Sequence, residues 1–279
     1  MASTTRLSDS RRHFCCSVLA LARMRTTRAP GGNLERTALI TGAAGGLGQA
    51  VAGKLAAAGW QLVLTSRDGG RLAACYGERH LHVEADCSSV AGARHILEVA
   101  RAHGSAPTAL AHCVGNIRLG ALHRMSETDF SDCLRANLLS AFHTLAAFVG
   151  ALRDTKSTGS AVLVSSAAAR IGTPNHEAVA AAKAGVEGLV RGAAATYAAA
   201  GIRINAVAPG IMDTPAAASF LGGTAAREAA ARQYPLPGIG SADELAELIV
   251  WLLSDHAARV TGQVWSMDAG FSTIRPLVK

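Results

Sequence analysis

Four glycines crowd the stretch TGAAGGLG, residues 41–48, which lies between a short apolar run and an alanine-rich stretch with helical periodicity. A strand, a tight turn and a helix in this order form the first half of a nucleotide-binding βαβ unit. Glycine lets backbone N–H groups approach a pyrophosphate, and the N-terminus of the following helix favours its negative charge. We therefore predict that Gly42, Gly46, Leu47 and Gly48 bind a dinucleotide.

Short apolar runs alternate with longer helical patterns from residue 37 almost to the end of the chain. This alternation is typical of a parallel sheet covered by helices on both faces, with strands that are apolar throughout. It predicts one α/β domain over residues 37–279, a Rossmann-type doubly wound parallel sheet. Strands are expected at 38–41, 61–65, 81–84, 109–113, 161–165, 203–207 and 264–267, and helices at 47–58, 91–102, 127–152, 177–199 and 242–253.

Residues 213–231 mix apolar and polar side chains between the sixth predicted strand and the last predicted helix. They would lie near the carboxyl ends of the strands, where open α/β sheets bind ligands. We expect this segment to contact a small-molecule substrate, although it carries no charged anchor that would identify the compound. Tyr234 follows it, and the sequence favours packing of this ring with Phe220 and Leu221 over a role as a lid.

The net charge of +7 is concentrated at the N-terminus, because residues 1–36 hold seven arginines against Asp9 and Glu35 and so carry +5. The remaining +2 does not predict a basic face for nucleic acid. No run of 18 residues lacks a polar interruption, which argues against a membrane-spanning helix. Six cysteines without paired spacing favour reduced thiols rather than a disulfide framework or a metal site. The expected location is the cytoplasm.

Residues 1–36 form an extension that is rich in Arg, Ser and Thr and contains an apolar run at 14–22. Three interpretations remain open: a transit peptide, an export signal of the twin-arginine type, and unstructured sequence before a later start at Met24. The nine-residue apolar run is at the short end for a signal, which favours the third.

Arg67 stands at the end of the second predicted strand, nineteen residues after Gly48. An acidic residue at about this distance binds the ribose hydroxyls of NAD, whereas an arginine favours the 2′-phosphate of NADP. The sequence therefore predicts NADP(H) in preference to NAD(H). The alternative is that Arg67 only solvates a loop beside Asp68.

From residue 36 to about residue 272, the chain resembles the short-chain dehydrogenase/reductase family. TGAAGGLG is similar to the family's TGxxxGxG, and VTGQVWSMDAG at 260–270 is similar to its closing strand. The family's NNAG is represented here by HCVG, which keeps only Gly115; His112 in this stretch is expected to be a packed residue. By this resemblance, Asp86 and Cys87 would contact the adenine side, Asn137 would hold a water relay, and Pro209, Gly210, Ile211 and Thr214 would line the nicotinamide.

The active-site pattern of the family is a serine followed thirteen residues later by YxxxK. Ser166 and Lys183 match this pattern, but the tyrosine position is Val179. By the resemblance, Ser166 would donate a hydrogen bond to a substrate oxygen and Lys183 would bind the nicotinamide ribose. Valine has no proton to give to a forming alkoxide, so another group must act.

His176 is the candidate replacement, because it lies three residues before Val179 and seven before Lys183 on one predicted helix face. Enoyl reductases of the same family place their tyrosine seven residues before the lysine. Asn175 after Pro174 is typical of a helix N-cap, which would put His176 in the first turn as a neutral imidazole that donates a hydrogen bond. The alternative is a solvated histidine at the edge of a loop.

These observations predict an NAD(P)(H)-dependent oxidoreductase that moves hydride to or from a carbonyl, an alcohol or an activated alkene. The alternative is a catalytically silent subunit that binds NADP(H) and either stabilises a partner or senses NADP(H). The resemblance also implies a homodimer or homotetramer built through the helices at 127–152 and 177–199.

Overall fold

The computed structural model describes residues 36–275, so the N-terminal extension predicted at 1–36 lies almost entirely outside the described residues. The strands are β1 (Thr37–Thr41), β2 (Gln61–Ser66), β3 (Leu81–Glu84), β4 (Ala109–His112), β5 (Gly159–Val164), β6 (Ile202–Pro209), β7 (Met212–Asp213), β8 (Gly240–Ser241) and β9 (Val264–Met267). The helices are α1 (Gly46–Ala57), α2 (Gly69–Tyr76), α3 (Val90–Ala102), α4 (Glu127–Leu134), α5 (Ser140–Asp154), α6 (Glu177–Tyr197), α7 (Thr224–Ala231) and α8 (Ala242–Leu253).

Seven strands form one parallel sheet in the order β3-β2-β1-β4-β5-β6-β9, which confirms the doubly wound α/β fold. The order reverses between β1 and β4, so the loops that follow these two strands diverge and leave a crevice at the carboxyl edge. The glycine-rich turn follows β1 and residues 113–116 follow β4. The fold thus brings both segments to the place where such sheets bind ligands.

Helices bury the sheet on both faces. On one face, α1 and α8 pack with Leu55 and Ile249 in the core; on the other, α3, α5 and α6 pack around Phe148. All five residues of β1 are buried, as the apolar character of the run predicts. Because α6 is anchored along its buried face, the side chain of Lys183 is held at a fixed place beside the sheet.

The helix predicted at 127–152 is interrupted by one π-helical turn, Arg135–Leu139, between α4 and α5. Asn137 lies in this turn, and its side-chain amide donates to the Cys133 carbonyl at 3.0 Å. A side chain that competes for a helical carbonyl favours such a local widening, and π-turns often occur at functional sites. Within the described residues, Glu127–Asp154 is also the one helical stretch long and apolar enough to cross a membrane; its α5 part packs into the core instead.

Two short helices were not expected from the sequence. Asp68 caps α2, because its carboxylate accepts the Arg71 N–H at 3.0 Å. The segment predicted to contact substrate contains α7 and a 3-10 turn at Pro215–Ala217. Both helices are only eight residues long, which is too short for a clear apolar periodicity.

Candidate active site

The glycine-rich turn forms a tight cradle after β1. Gly42 has φ +67°, a conformation that favours glycine. A Cβ atom on Gly48 would lie 2.3 Å from the Gly42 carbonyl oxygen, so any larger residue would force the turn open. At Gly115 a Cβ would lie 2.7 Å from Asn137 Oδ1 and 3.2 Å from Lys183 Nζ, so a side chain there would displace these two side-chain ends rather than backbone. The backbone can therefore approach a ligand closely along this whole edge, as a dinucleotide requires.

A cavity of about 490 Å³ opens beside this cradle; we call it the arginine cavity. It contains five of the predicted cofactor residues, namely Gly42, Arg67, Asp86, Cys87 and Gly115. Sequence reasoning missed three further arginines in its wall: Arg71, Arg118 and Arg135.

Positive side chains outnumber negative ones in the wall of the arginine cavity. Burial alone would raise the pKa of Asp86, but hydrogen bonds from Ser88 and the positive charges of Arg67 and Arg135 outweigh it and hold this pKa below its usual value. Asp68, the acid nearest the end of β2, is occupied as the cap of α2. Arg71 donates to the Ala44 carbonyl at 3.2 Å, which fixes it against the glycine-rich turn. The cavity is therefore suited to an anionic group.

A second cavity of about 250 Å³, the lysine cavity, continues from the first and shares Gly45 and Gly115 with it. The fold brings nearly all remaining predicted site residues together here. Its wall includes Gly46, Leu47, Gly48, Asn137, Ser166, Val179, Lys183, Pro209, Gly210, Ile211 and Thr214.

Lys183 is buried, and its Nζ donates to the Val164 carbonyl at 2.8 Å. Burial lowers the pKa of Lys183 to about 8, although the nearby Cys133 and Cys113 thiols act in the opposite direction. Asn137 donates to Asn116 Oδ1 at 2.8 Å, and the Asn116 N–H donates back to Asn137 Oδ1 at 3.3 Å. Asn116 follows the HCVG stretch and was not singled out from the sequence.

A third cavity of about 250 Å³, the aromatic cavity, shares Ser166, Val179 and Ile211 with the lysine cavity. Ser166 Oγ accepts the Ala168 N–H at 3.2 Å, which leaves its hydroxyl proton available to a ligand. His176 also lines this cavity, so the structure brings the candidate histidine and Ser166 to one space.

The predicted cap at Asn175 is wrong, because His176 itself is the N-cap of α6. Asn175 adopts φ +63°, a left-handed conformation that asparagine tolerates, and its carbonyl accepts the Gly120 N–H at 3.0 Å. His176 Nδ1 lies 2.8 Å from the Pro174 carbonyl oxygen, which only accepts, so Nδ1 carries a proton. The free nitrogen is therefore Nε2, which in the neutral ring is an acceptor and not the donor expected from the sequence.

Tyr234 does not pack as the sequence favoured. Its ring lies 5.1 Å from that of Phe271, whereas Leu221 is buried in a separate cluster with Ala217 and Ala230. Tyr234 and Phe220 both line the aromatic cavity.

His112 is a packed residue, as expected. Its ring bridges Thr41 Oγ1 at 2.8 Å and Ser140 Oγ at 3.1 Å, and burial together with the Lys183 charge lowers its pKa to about 3. A neutral imidazole thus ties the end of β1 to α5, directly behind the glycine-rich turn.

Comparisons with known proteins agree with this geometry. The sequence model of the family described as enoyl-(acyl carrier protein) reductase matches residues 42–272. A cis-4-hydroxycyclohexanecarboxylate dehydrogenase of Sinomonas cyclohexanicum is 35% identical over 86% of this chain and 98% of its own length. The chain belongs to the short-chain dehydrogenase/reductase family.

Solved structures resemble this short-chain dehydrogenase/reductase over nearly their full length. Levodione reductase superposes with a TM-score of 0.80 at 30% identity, covering 86% of this chain and 98% of its own. A short-chain type dehydrogenase/reductase of Mycobacterium ulcerans also gives a TM-score of 0.80, at 26% identity, covering 86% of this chain and 90% of its own.

The named relatives are dehydrogenases and reductases. This member of the family is therefore an oxidoreductase that uses a nicotinamide cofactor to move hydride to or from a carbonyl, an alcohol or an activated alkene. The comparisons give no support to the alternative of a catalytically silent nucleotide-binding subunit.

Proposed function

We propose that this enzyme is an NADPH-dependent reductase of compact, uncharged ketones or enones in which His176 supplies the proton in place of a tyrosine at position 179. One observation carries the proposal: His176, Ser166 and Val179 line the same cavity. Ser166 and Val179 also line the lysine cavity, which meets the glycine-rich turn. The histidine thus faces the space into which the family's tyrosine would project.

The arginine cavity supports NADP(H) over NAD(H). Arg67 and Arg71 line it, and Arg71 is held against the glycine-rich turn by its bond to Ala44. The carboxylate of Asp68, which follows the end of β2, caps α2 by accepting the Arg71 N–H. Four arginines against two aspartates, Asp86 and Asp132, give the cavity wall a net positive charge, which suits a 2′-phosphate.

The lysine cavity supports the placement of the nicotinamide end of the cofactor. When bound, NADPH supplies a hydride from its nicotinamide ring. Lys183, fixed by its bond to the Val164 carbonyl, would hold the adjacent ribose. By the family resemblance, Asn137 would hold a water beside the lysine. Pro209, Gly210, Ile211 and Thr214 form the opposite wall.

We assign proton donation to His176. Because Nδ1 is committed to the Pro174 carbonyl, only the imidazolium form has a proton to donate at Nε2. As hydride reaches the carbonyl carbon, that proton passes to the oxygen, the alcohol forms, and the neutral ring regains a proton from solvent. Ser166 donates a hydrogen bond to the same oxygen and stabilises its developing charge.

The aromatic cavity limits the size and the charge of the substrate. Its volume of about 250 Å³ is small for a ligand pocket. Leu119, Phe220 and Phe271 give it apolar walls, and none of the lysines or arginines among residues 36–275 lines it. These features favour a compact, uncharged, apolar substrate such as a substituted cyclohexanone. A relative named for cis-4-hydroxycyclohexanecarboxylate supports the same ring size, and its substrate differs from the proposed ones in carrying a carboxylate.

An activated alkene is the second candidate substrate. His176 lies seven residues before Lys183, the spacing of the tyrosine in enoyl reductases, and the matching family model is described by that activity. The same residues would then protonate an enolate formed by hydride addition to the β-carbon.

The test is a turnover assay on matched panels. Purified protein is titrated with NADPH and NADH, and then incubated with cyclohexanones, cyclohexenones and their carboxylated analogues. We expect tighter binding of NADPH and its consumption in step with product, with neutral ring compounds preferred. Absence of turnover on every member of the panel would contradict the proposal.

We further infer a homodimer or homotetramer through α5 and α6. Leu139 and Phe142, beside and within α5, are large apolar side chains that remain exposed, and a second subunit would cover them. Light scattering after size exclusion tests this inference, and a monomer would contradict it.

A cytoplasmic location is proposed from the thiols. Cys75, Cys87, Cys113 and Cys133 are all free, as suits a reducing compartment. Residues 1–36 remain a proposed extension; a fluorescent fusion with and without them distinguishes targeting from an untargeted leader.

A further inference from the structure

Tyr234 is built into the aromatic cavity by three separate contacts. Its Oη accepts the backbone N–H of Ile211 at 2.7 Å, and its ring lies against that of Phe271. The ring also lies against Gly210, where a Cβ would be 2.7 Å from Tyr234 Cε1. Any side chain at position 210 would push the ring away, so the phenol depends on a glycine at this position.

The hydroxyl of Tyr234 keeps its proton free for a ligand. The bond from Ile211 occupies one lone pair of Oη, and within residues 36–275 no acceptor takes the hydroxyl proton. Burial raises the pKa of Tyr234, and the Asp268 charge adds to this, although the Ile211 N–H opposes it. The group is therefore a neutral phenol at physiological pH, and a neutral phenol donates hydrogen bonds.

The position of Oη is set by Ile211, which lines both the lysine cavity and the aromatic cavity, as does Ser166. The hydroxyl thus lies near the boundary between the space for nicotinamide and the space for substrate. Hydride transfer must take place at this boundary, and Tyr234 lines the aromatic cavity together with Ser166 and His176.

We propose that Tyr234 is a catalytic residue that donates a hydrogen bond to the reacting oxygen of the substrate. An oxygen that gains negative charge accepts three hydrogen bonds, which suits Ser166, His176 and Tyr234 together. Tyr234 stabilises the charge, whereas His176 delivers the proton. This inference rests on the proposed reductase function.

The test is Tyr234→Phe, which removes the hydroxyl and keeps the ring. The measurements are kcat and KM for a cyclic ketone, Kd for NADPH and Tm, with Tyr197→Phe as the matched control, since Tyr197 lines none of the three cavities. We expect kcat of Tyr234→Phe to fall about 10- to 100-fold, while Kd for NADPH and Tm stay those of the wild type. Tyr197→Phe should retain the kcat of the wild type.

Two results would overturn the inference while leaving the reductase function in place. One is a Tyr234→Phe variant with the kcat of the wild type. The other is a loss of kcat with an equal weakening of NADPH binding, since the hydroxyl would then serve only to hold Ile211. A wild-type protein that neither turns over nor binds any ketone or enone in the presence of NADP+ would overturn both proposals together.

Discussion

The Nζ atom of Lys183 donates a 2.8 Å hydrogen bond to the carbonyl oxygen of Val164, the last residue of β5. This bond joins α6 to the carboxyl end of a central strand, two residues before Ser166. The lysine is buried, so the protein holds a cation away from water in order to present it to the ligand cavity. That arrangement costs stability, and the cost depends on pH.

Replacement of Lys183 by methionine is expected to stabilise the cofactor-free protein at pH 7. Burial lowers the pKa of Lys183 from 10.5 to about 8. Between these two values the unfolded chain binds more protons than the folded one, so the free energy of unfolding of the wild type rises with pH across this window. Below it, the buried charge costs at most about 3 kcal/mol.

Urea unfolding at pH 7 and pH 10 checks this prediction. Lys183→Met should be more stable than the wild type at pH 7, and the difference should shrink at pH 10, where the wild-type lysine is neutral. A variant that is less stable than the wild type at pH 7 would contradict the account of the buried cation. Activity should be lost in either case.

Replacement of Arg67 by alanine should weaken NADPH binding about 10- to 100-fold, the value of one charge-assisted hydrogen bond. Binding of NADH should change little, because it lacks the 2′-phosphate. Fluorescence titration with both cofactors measures the effect. Arg79→Ala is the matched control, since Arg79 is exposed and does not line the arginine cavity. An equal loss for both cofactors would show that Arg67 does not select the phosphate.

Replacement of Gly115 by alanine should impair cofactor binding more than folding. The new methyl group would lie 2.7 Å from Asn137 Oδ1 and would displace the Asn137–Asn116 pair. Titration with NADPH and thermal unfolding measure the two effects. Gly53→Ala provides the control, because nothing lies within 4 Å of its Cβ position and alanine favours a helix. Unchanged NADPH affinity in Gly115→Ala would argue against a cradle at this position.

Replacement of Val179 by tyrosine should make the reaction independent of His176. Val179 lines both the lysine and the aromatic cavity, so we expect a phenol ring at this position to extend towards these cavities. Reduction rates of Val179→Tyr and of the double variant Val179→Tyr/His176→Ala test this. Comparable kcat values are expected, and an inactive but folded double variant would show that position 179 cannot hold the donor.

The sequence predicts the sheet and most of the site because both follow from spacing along single elements. Ser166 lies two residues beyond β5, Pro209 ends the neighbouring β6, and Lys183 lies on α6. The parallel sheet therefore brings them together. Arg71 could not be predicted, because its place depends on Asp68 starting a short helix. Tyr234 could not be predicted either, since its contact with Gly210 joins segments that local patterns do not relate.

The cap of α6 illustrates a different limit. Asn175 is a common N-cap residue, yet the backbone turns left-handed there and the helix begins one residue later. A one-residue shift leaves the fold unchanged but reverses the expected hydrogen-bonding role of His176. The direction of a side chain in a cavity therefore depends on backbone angles that residue type alone does not determine.

The most direct test of the central claim is kcat for NADPH-dependent ketone reduction by His176→Ala, with the exposed His95→Ala as control. If His176 delivers the proton, kcat should fall about 100-fold or more, with unchanged NADPH affinity. A His176→Ala protein with the wild-type kcat would contradict the claim.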